Sequence, residues 1–191
     1  MRICVYGAAS NEIDPSYIEA GEQLGKAMAA RGHRLVFGAG CSGMMGAVAR
    51  GTTEAKGYMT GIVPSFFNVD GVLYDTCDEL IYTETMRERK QLMEDSADAF
   101  VMTAGGIGTF EEFFEILTLK QLDRHDKPIV ILNTNGYYDR MFAMLDYTVA
   151  ENFAKEKTKE LYFVTEDIDA ALDYIENYRA QGIDVTEHRF V

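Results

Sequence analysis

A glycine-rich turn followed by two glutamates is the part of the sequence best suited to chemistry. The turn runs Thr103-Ala104-Gly105-Gly106-Ile107-Gly108-Thr109, after an apolar segment and before a segment with helical periodicity. Glycines let backbone amides converge, and a helix N-terminus carries unpaired N–H groups, so phosphate binds there readily. Because the Lys and Ser/Thr of a Walker loop do not follow the last glycine, the turn predicts a monophosphate site and not triphosphate hydrolysis.

Two interpretations of Glu112 stay open on the sequence. The spacing from Thr109 to Glu112 is that of a capping box, in which the glutamate only closes the start of a helix. The helix is apolar at Phe110 and Phe113, which holds Glu111 and Glu112 beside the turn and near the positive end of the helix. A carboxylate at that place is expected to stay ionised, as one that stabilises a cation or activates water must.

The basic cluster Met86-Arg87-Glu88-Arg89-Lys90 lies in the helix before this turn. The apolar stripe of that helix passes through Met86 and Met93, and Arg89 and Lys90 occupy the same stripe at i+3 and i+4 from Met86. An unpaired buried charge costs several kcal/mol, so these cations need a partner. An internal salt bridge, or side chains that reach out to water, would satisfy them. An anionic substrate held by a bidentate Arg89 would do so as well.

A second glycine-rich turn, Gly38-Ala39-Gly40-Cys41-Ser42-Gly43, contains the GxGxxG pattern between a strand and a helix. A dinucleotide fingerprint also needs an acidic residue about 20 positions later, at the end of the next strand. That strand ends Val63-Pro64 without an acid, so binding of NAD is disfavoured. Ligand contact at Gly40 and Gly43, and a tight strand-to-helix crossing without a ligand, are equally compatible with the glycines.

Composition excludes several classes of partner. The 191 residues carry 18 basic and 31 acidic side chains, a net charge of −13, which opposes binding to nucleic acid or to an anionic membrane. The three cysteines and three histidines are scattered without the spacing of a metal site, so no metal is expected. The apolar runs are too short for a membrane span, and no signal segment precedes the first strand, so a cytoplasmic location is expected.

Strand-like and helix-like segments alternate along the whole chain. This pattern predicts an α/β fold, a single Rossmann-like domain over residues 1–191 with a doubly wound parallel sheet and helices on both faces. The predicted strands are Ile3–Tyr6, Leu35–Phe37, Met59–Val63, Leu80–Tyr82, Ala99–Thr103, Ile129–Leu132 and Tyr162–Val164. The predicted helices are Pro15 to Gly32, with Asp14 as N-cap, and Gly43–Lys56, Thr85–Ser96, Thr109–Asp123, Tyr138–Asn152 and Asp167–Gln181. In such folds ligands bind beyond the carboxyl ends of the strands, where both turns lie.

In this order and spacing, Met86-Arg87-Glu88-Arg89-Lys90 and Gly105-Gly106-Ile107-Gly108-Thr109-Phe110-Glu111-Glu112 resemble the MxxRK and PGGxGTxxE motifs of the LONELY GUY (LOG) family. The resemblance covers nearly the whole chain. It implies a dimeric phosphoribohydrolase that needs no cofactor and splits an adenine-type nucleoside 5'-monophosphate, such as a cytokinin riboside monophosphate or AMP, into free base and ribose 5-phosphate.

The resemblance also assigns roles by motif. Arg89 and Glu112 are the implied catalytic pair. The implied substrate contacts are Met86, Lys90, Gly105, Gly106, Ile107, Gly108, Thr109, Thr118, Gly40 and Gly43. The chain departs from the family at Ala104, where proline is usual, and at Ala39, where a glycine is usual and the added methyl is expected to narrow the base or ribose pocket. The alternative function is a non-catalytic mononucleotide-binding protein, similar to carriers of molybdenum cofactor.

Overall fold

The computed structural model describes residues 1–67, 71–180 and 182. Seven strands form one sheet: β1 (Arg2–Tyr6), β2 (Arg34–Phe37), β3 (Met59–Pro64), β4 (Glu79–Thr83), β5 (Ala99–Met102), β6 (Ile129–Leu132) and β7 (Phe163–Thr165). Their order is β4-β3-β2-β1-β5-β6-β7, and every neighbouring pair is parallel. The predicted fold class is confirmed, and each predicted strand is present within one or two residues of its expected ends.

The described residues form six α-helices, five between strands and the last after β7: α1 (Pro15–Ala30), α2 (Gly43–Glu54), α3 (Met86–Ser96), α4 (Ile107–Gln121), α5 (Asp139–Ala150) and α6 (Ile168–Asn177). The start of α1 follows from Asp14, whose side chain accepts a hydrogen bond from the Ser16 amide, and from Pro15 at the first helical position. Gly32 follows α1 with a φ of 75°, as a left-handed terminator does. The predicted end of the last helix at Gln181 lies outside the described residues.

The helices cover both faces of the sheet, and each face has its own core. On one face, α1, α2 and α6 pack with Leu24, Val48 and Leu172 against the sheet. On the other face, α3, α4 and α5 contribute Met93, Phe113 and their neighbours to a second core. In the described ranges, no helix has the length and apolar character that crossing a bilayer would require.

The start of α4 differs from the sequence prediction. The helix begins at Ile107 and not at Thr109, and Gly106 is its N-cap residue with no capping side chain. Thr109 therefore lies inside the first turn, so the capping box between Thr109 and Glu112, one of the two interpretations that the sequence left open, is absent. A capping box does occur in α3, where Thr85 and Glu88 bond each other's backbone amides.

The sheet order reverses direction between β1 and β5, because β2 to β4 lie on one side of β1 and β5 to β7 on the other. Ligands of open α/β sheets bind in the crevice at such a switch point, beyond the carboxyl ends of the strands. The backbones approach closely there, since a Cβ added to Gly7 would lie 2.4 Å from the Thr103 hydroxyl oxygen. The turns after β2 and β5 both open onto this crevice.

Candidate active site

A buried ion pair lies at the switch point. Nη1 of Arg89 on α3 donates to Oε1 of Glu112 on α4 at 2.9 Å, and the two side chains are only 10% and 12% exposed. The Arg89 Nε also donates to the Ile62 carbonyl at the end of β3, at 3.2 Å. The structure thus brings together two residues that the sequence singles out for catalysis and that lie 23 positions apart in the chain. Because the capping box is absent, Glu112 is left to face Arg89.

The first glycine turn leaves room for the Arg89 guanidinium. A Cβ added to Gly38 would lie 2.2 Å from the Arg89 Nη2 atom, so only glycine leaves room for the guanidinium at this place. The helix that carries Arg89 is fixed at its start by the capping box of Thr85 and Glu88. Backbone and side chain of Arg89 are therefore both restrained before any ligand binds.

The charge state of Glu112 results from two opposing effects. Burial raises the pKa of the Glu112 carboxyl, and the charge and hydrogen bond of Arg89 act in the opposite direction. The ionised form expected from the sequence is therefore supported by Arg89 and not by the helix terminus alone. A buried carboxylate whose pKa is raised above its ordinary value is suited to general-base chemistry.

The second glycine turn presents an open face beside this pair. A Cβ added to Gly106 or Gly108 would meet no atom within 4 Å, and the Ile107 side chain between them is 88% exposed. The first amides of α4 have no carbonyl one turn before them to bond, and no side chain caps them. Gly105 differs, because a Cβ there would lie 2.1 Å from the Thr109 hydroxyl oxygen. The turn is therefore suited to bind an anion at Gly106, Ile107 and Gly108.

The backbone of the first glycine turn, by comparison, is already in contact with other parts of the protein. Two of its amides bond within the protein, Cys41 to the Val72 carbonyl and Gly43 to the Asn11 side chain, and the Met45 amide in the first turn of α2 bonds the Ala8 carbonyl. A Cβ added to Gly40 would lie 2.8 Å from the Met45 Cε atom, and Gly43 has a φ of 58°. These contacts explain the glycines at Gly40 and Gly43 by packing, and the predicted substrate contacts there stay predictions.

Ala39 does not occupy the place expected from the sequence. The residue has no exposed surface, and its methyl group lies against Gly61, where an added Cβ would be 2.7 Å away. The methyl therefore faces β3 and does not narrow the cleft. Ala39 has a left-handed backbone with a φ of 59°, a conformation that favours glycine.

Three other predicted contacts, Lys90, Met86 and Thr118, lie on α3 and α4. Lys90 bonds Glu111 and, at 2.9 Å, Glu115, so α4 already neutralises it. Met86 begins α3 and is partly exposed. Thr118 is an exposed residue on α4, about 16 Å along the helix axis from Ile107. One chain therefore does not place Thr118 at the glycine turn.

Two tyrosines that sequence reasoning did not single out bond the second turn. The Tyr138 hydroxyl donates to the Thr103 carbonyl at 2.7 Å, and the Tyr137 hydroxyl donates to the Gly105 carbonyl at 2.9 Å. The available signal was their place in the segment after β6, which ends at Leu132, because the carboxyl ends of parallel strands lie on the same side of the sheet as the turn. Within the described ranges, no group of three or more His, Cys, Asp and Glu side chains is arranged to hold a metal ion.

Comparisons with known proteins agree on one family. The family model described as possible lysine decarboxylase matches residues 45–175. A probable cytokinin riboside 5'-monophosphate phosphoribohydrolase of Oryza sativa subsp. japonica is 36% identical over 93% of this chain and 78% of its own length. A cytokinin riboside 5'-monophosphate phosphoribohydrolase of Mycobacterium tuberculosis is also 36% identical, over 89% of this chain and 90% of its own.

Solved structures of lower identity share the fold. The molybdenum cofactor carrier protein of Chlamydomonas reinhardtii superposes with a TM-score of 0.69 at 24% identity, covering 92% of this chain and 95% of that one. The likeness at this identity concerns the architecture of the sheet and helices.

Proposed function

Since the chain belongs to the LONELY GUY (LOG) family, to which the phosphoribohydrolases of rice and Mycobacterium tuberculosis also belong, we propose that it hydrolyses the N-glycosidic bond of an adenine-type nucleoside 5'-monophosphate. The products are the free base and ribose 5-phosphate. The observation that carries the proposal is the buried pair of Arg89 and Glu112 beside an open helix N-terminus.

The phosphate binds at the open turn. Unpaired amides and the positive end of α4 favour a dianion at Gly106, Ile107 and Gly108. Glu112 lies four residues after Gly108 on the same helix, so the ribose of a substrate anchored at the turn extends towards its carboxylate. Fixing the phosphate on one rigid helix sets the distance between the sugar and the reacting carboxylate.

The reaction replaces the C1′–N bond of the ribose with a C1′–O bond. The C1′–N bond breaks with its electron pair leaving on the base, and positive charge develops on the ribose in the transition state. The ionised Glu112 stabilises that charge and takes a proton from the attacking water, whose oxygen bonds to C1′. The departing base gains one proton, and Glu112 gives up the proton that it took from water, so one water is consumed overall and the carboxylate is ionised again. Arg89 keeps Glu112 ionised and fixed in orientation.

The same proposal includes a homodimer. Thr118 is exposed and lies too far along α4 to share one phosphate with the turn of its own chain. A contact between Thr118 and the substrate would come from a second copy, whose α4 is brought beside the cleft. Lys90 forms ion pairs with Glu111 and Glu115 and so links α3 to α4, which would stabilise the surface of α4 that meets the second copy. Light scattering after gel filtration measures the assembly.

Non-catalytic nucleotide binding is the alternative. The solved carriers of molybdenum cofactor share the fold at 24% identity, which supports the architecture and no particular ligand. A carrier needs the turn but has no use for a buried carboxylate paired with arginine. The alternative therefore differs from the proposal in what Glu112 does.

The test is to incubate the protein with AMP and with isopentenyladenosine monophosphate and to measure free base by chromatography. We expect release from the 5'-monophosphates and little from the matching nucleosides. The Glu112→Gln variant should bind AMP and lose about 1,000-fold in kcat. Glu111→Gln, on the adjacent position but outside the ion pair, is the matched control and should stay within about tenfold. Equal rates on nucleotides and nucleosides, or an active Glu112→Gln variant, would overturn the proposal.

A further inference from the structure

Two consecutive tyrosines hold the start and the middle of the phosphate turn. Tyr138 bonds the carbonyl of Thr103, where β5 has just ended, and Tyr137 bonds the carbonyl of Gly105, in the middle of the turn. The two rings pack edge to face with centroids 4.8 Å apart. Tyr138 is buried, whereas Tyr137 is 42% exposed and lies at the open side of the molecule. The second contact is therefore made at the rim of the candidate site.

The bond from Tyr137 determines where a neighbouring amide points. The described residues contain no cis peptide, so the carbonyl of Gly105 and the N–H of Gly106 point in opposite directions across one planar group. The carbonyl is held towards Tyr137 at 2.9 Å. The Gly106 amide is thereby directed away from Tyr137, and a Cβ at Gly106 would meet nothing within 4 Å.

The turn needs this restraint because its own residues supply little. Gly105, Gly106 and Gly108 have wide backbone freedom, and ordering such residues costs more entropy than ordering any other type. No side chain caps α4 at Gly106. Gly105 itself must remain glycine because Thr109 fills the place of a Cβ. A hydrogen bond from outside the turn is the remaining way to fix its peptide groups.

The segment before Tyr137 is built to hold its ring. Asn135 and Gly136 have φ values of 56° and 65°, which turn the chain sharply after β6. The Asn135 side chain donates to the Ser16 hydroxyl at 2.8 Å, and the ring of Tyr17 packs edge-on against Tyr137 at 5.6 Å. Both contacts tie the segment to the start of α1, so Tyr137 has support on two sides.

We propose that Tyr137 is a positioning residue for the 5'-phosphate, which orients the Gly105–Gly106 peptide so that the Gly106 amide is ready to bind phosphate. This role deepens the proposed function and rests on it. Tyr137 acts through the turn and takes no part in bond cleavage. Its loss is therefore expected to weaken binding of the phosphate and to leave the chemical step intact.

The experiment compares Tyr137→Phe with the wild type on AMP and on adenosine. The variant keeps the ring and its packing on Tyr17 and removes only the hydroxyl. We expect KM for AMP to rise about fivefold while kcat stays within about twofold, as loss of one hydrogen bond to the turn implies. The activity on adenosine, which has no phosphate, should not change. Tyr58→Phe, whose ring packs on Arg34 at the amino ends of β2 and β3, is the matched control.

Calorimetric titration with ribose 5-phosphate tests the same proposal without catalysis. Tyr137→Phe should bind this ligand about fivefold more weakly than the wild type, and Tyr58→Phe should bind it equally well. If the wild type binds ribose 5-phosphate in this way but cleaves no nucleotide, the proposed reaction fails and the role of Tyr137 stands. Equal affinity of Tyr137→Phe and wild type, no affinity in the wild type, or an equal loss on AMP and adenosine would overturn the role.

Discussion

The two glycine-rich turns share a residue type and differ in what their glycines face. After β2, Gly38 lies against the Arg89 guanidinium and Gly40 against Met45. After β5, Gly106 and Gly108 border open space. Amides of the first turn bond inside the protein, whereas the first amides of α4 have neither a capping side chain nor a carbonyl one turn earlier.

The two turns show two different reasons why a position requires glycine. In the first turn a side chain is excluded by atoms of the protein, so the turn shapes the protein itself and seats Arg89. In the second turn a side chain would fit, and what it would obstruct is the approach of a ligand to the backbone. Packing accounts for the glycines of the first turn, where ligand contact at Gly40 and Gly43 stays a prediction, and the second turn has the more open backbone for an anion.

Among the glycine replacements in the two turns, Gly38→Ala should give the largest effect on activity. The new Cβ would meet the far end of a flexible side chain, so the fold should persist while the guanidinium moves away from Glu112. A displacement of about 1 Å in such a site costs about 100-fold in rate. We expect a loss of that size in kcat on AMP, measured alongside the free energy of unfolding in urea.

Gly21→Ala is the matched control for crowding. Its Cβ would lie 2.9 Å from the Ala47 methyl group, between α1 and α2 and away from Arg89. This variant should lose stability at most and keep its kcat. A Gly38→Ala variant with normal kcat would show that the seat of Arg89 is unimportant and would remove the distinction between the turns.

Replacing Gly108 with alanine should separate stability from binding. The added Cβ meets nothing within 4 Å, and alanine favours a helix by up to about 1 kcal/mol over glycine, so the free energy of unfolding should stay equal or rise. The same methyl group stands where the phosphate approaches, so KM for AMP should rise about tenfold with KM for adenosine unchanged. Thermal unfolding and steady-state kinetics measure the two effects.

Gly105→Ala provides the contrast within the same turn. Its Cβ would lie 2.1 Å from the Thr109 hydroxyl oxygen, so this variant should lose stability. If Gly108→Ala destabilises the protein as well, the second turn is packed like the first. If it leaves KM for AMP unchanged, the open face is not where phosphate binds.

The sequence predicts most of the fold because its signals are local. Buried strands such as Ile129–Leu132 are short apolar runs, and the cap at Asp14 with Pro15 defines the start of α1 within three residues. The pair of Arg89 and Glu112 could also be selected, since a cation on an inward stripe and a carboxylate beside a glycine turn both need explanation. Their direct contact requires the sheet order, which local patterns do not contain.

The start of α4 shows where local signals mislead. Glycines are poor helix formers, so Gly106-Ile107-Gly108 is expected to precede the helix, and Thr109 then fits a cap. In the structure the helix continues back to Ile107. The contacts of Gly38 with Arg89 and of Tyr137 with Gly105 join residues 32 or more positions apart. No pattern within one segment predicts such contacts.

The acid limb of the pH profile should give the smallest and most specific effect, since it reports on the ion pair that joins the two turns. Glu112 must be ionised to act, and burial raises its pKa. A raised pKa means that the carboxyl keeps its proton to a higher pH. As the pH is lowered, kcat/KM should therefore begin to fall at a pH above the ordinary pKa of a glutamate. The substrate phosphate titrates near pH 6 in every assay, so the comparison is made between variants.

Two variants should move this limb in opposite directions. In Gly38→Ala, the residual activity should be lost at a higher pH than in the wild type, because a displaced Arg89 no longer lowers the pKa of Glu112. In Glu111→Gln, the limb should move to lower pH, because the charge of Glu111 raises that pKa. Limbs that coincide in all three proteins would mean that the titrating group is not Glu112. The position of Arg89 against Gly38 would then have no effect on the ionisation that limits activity.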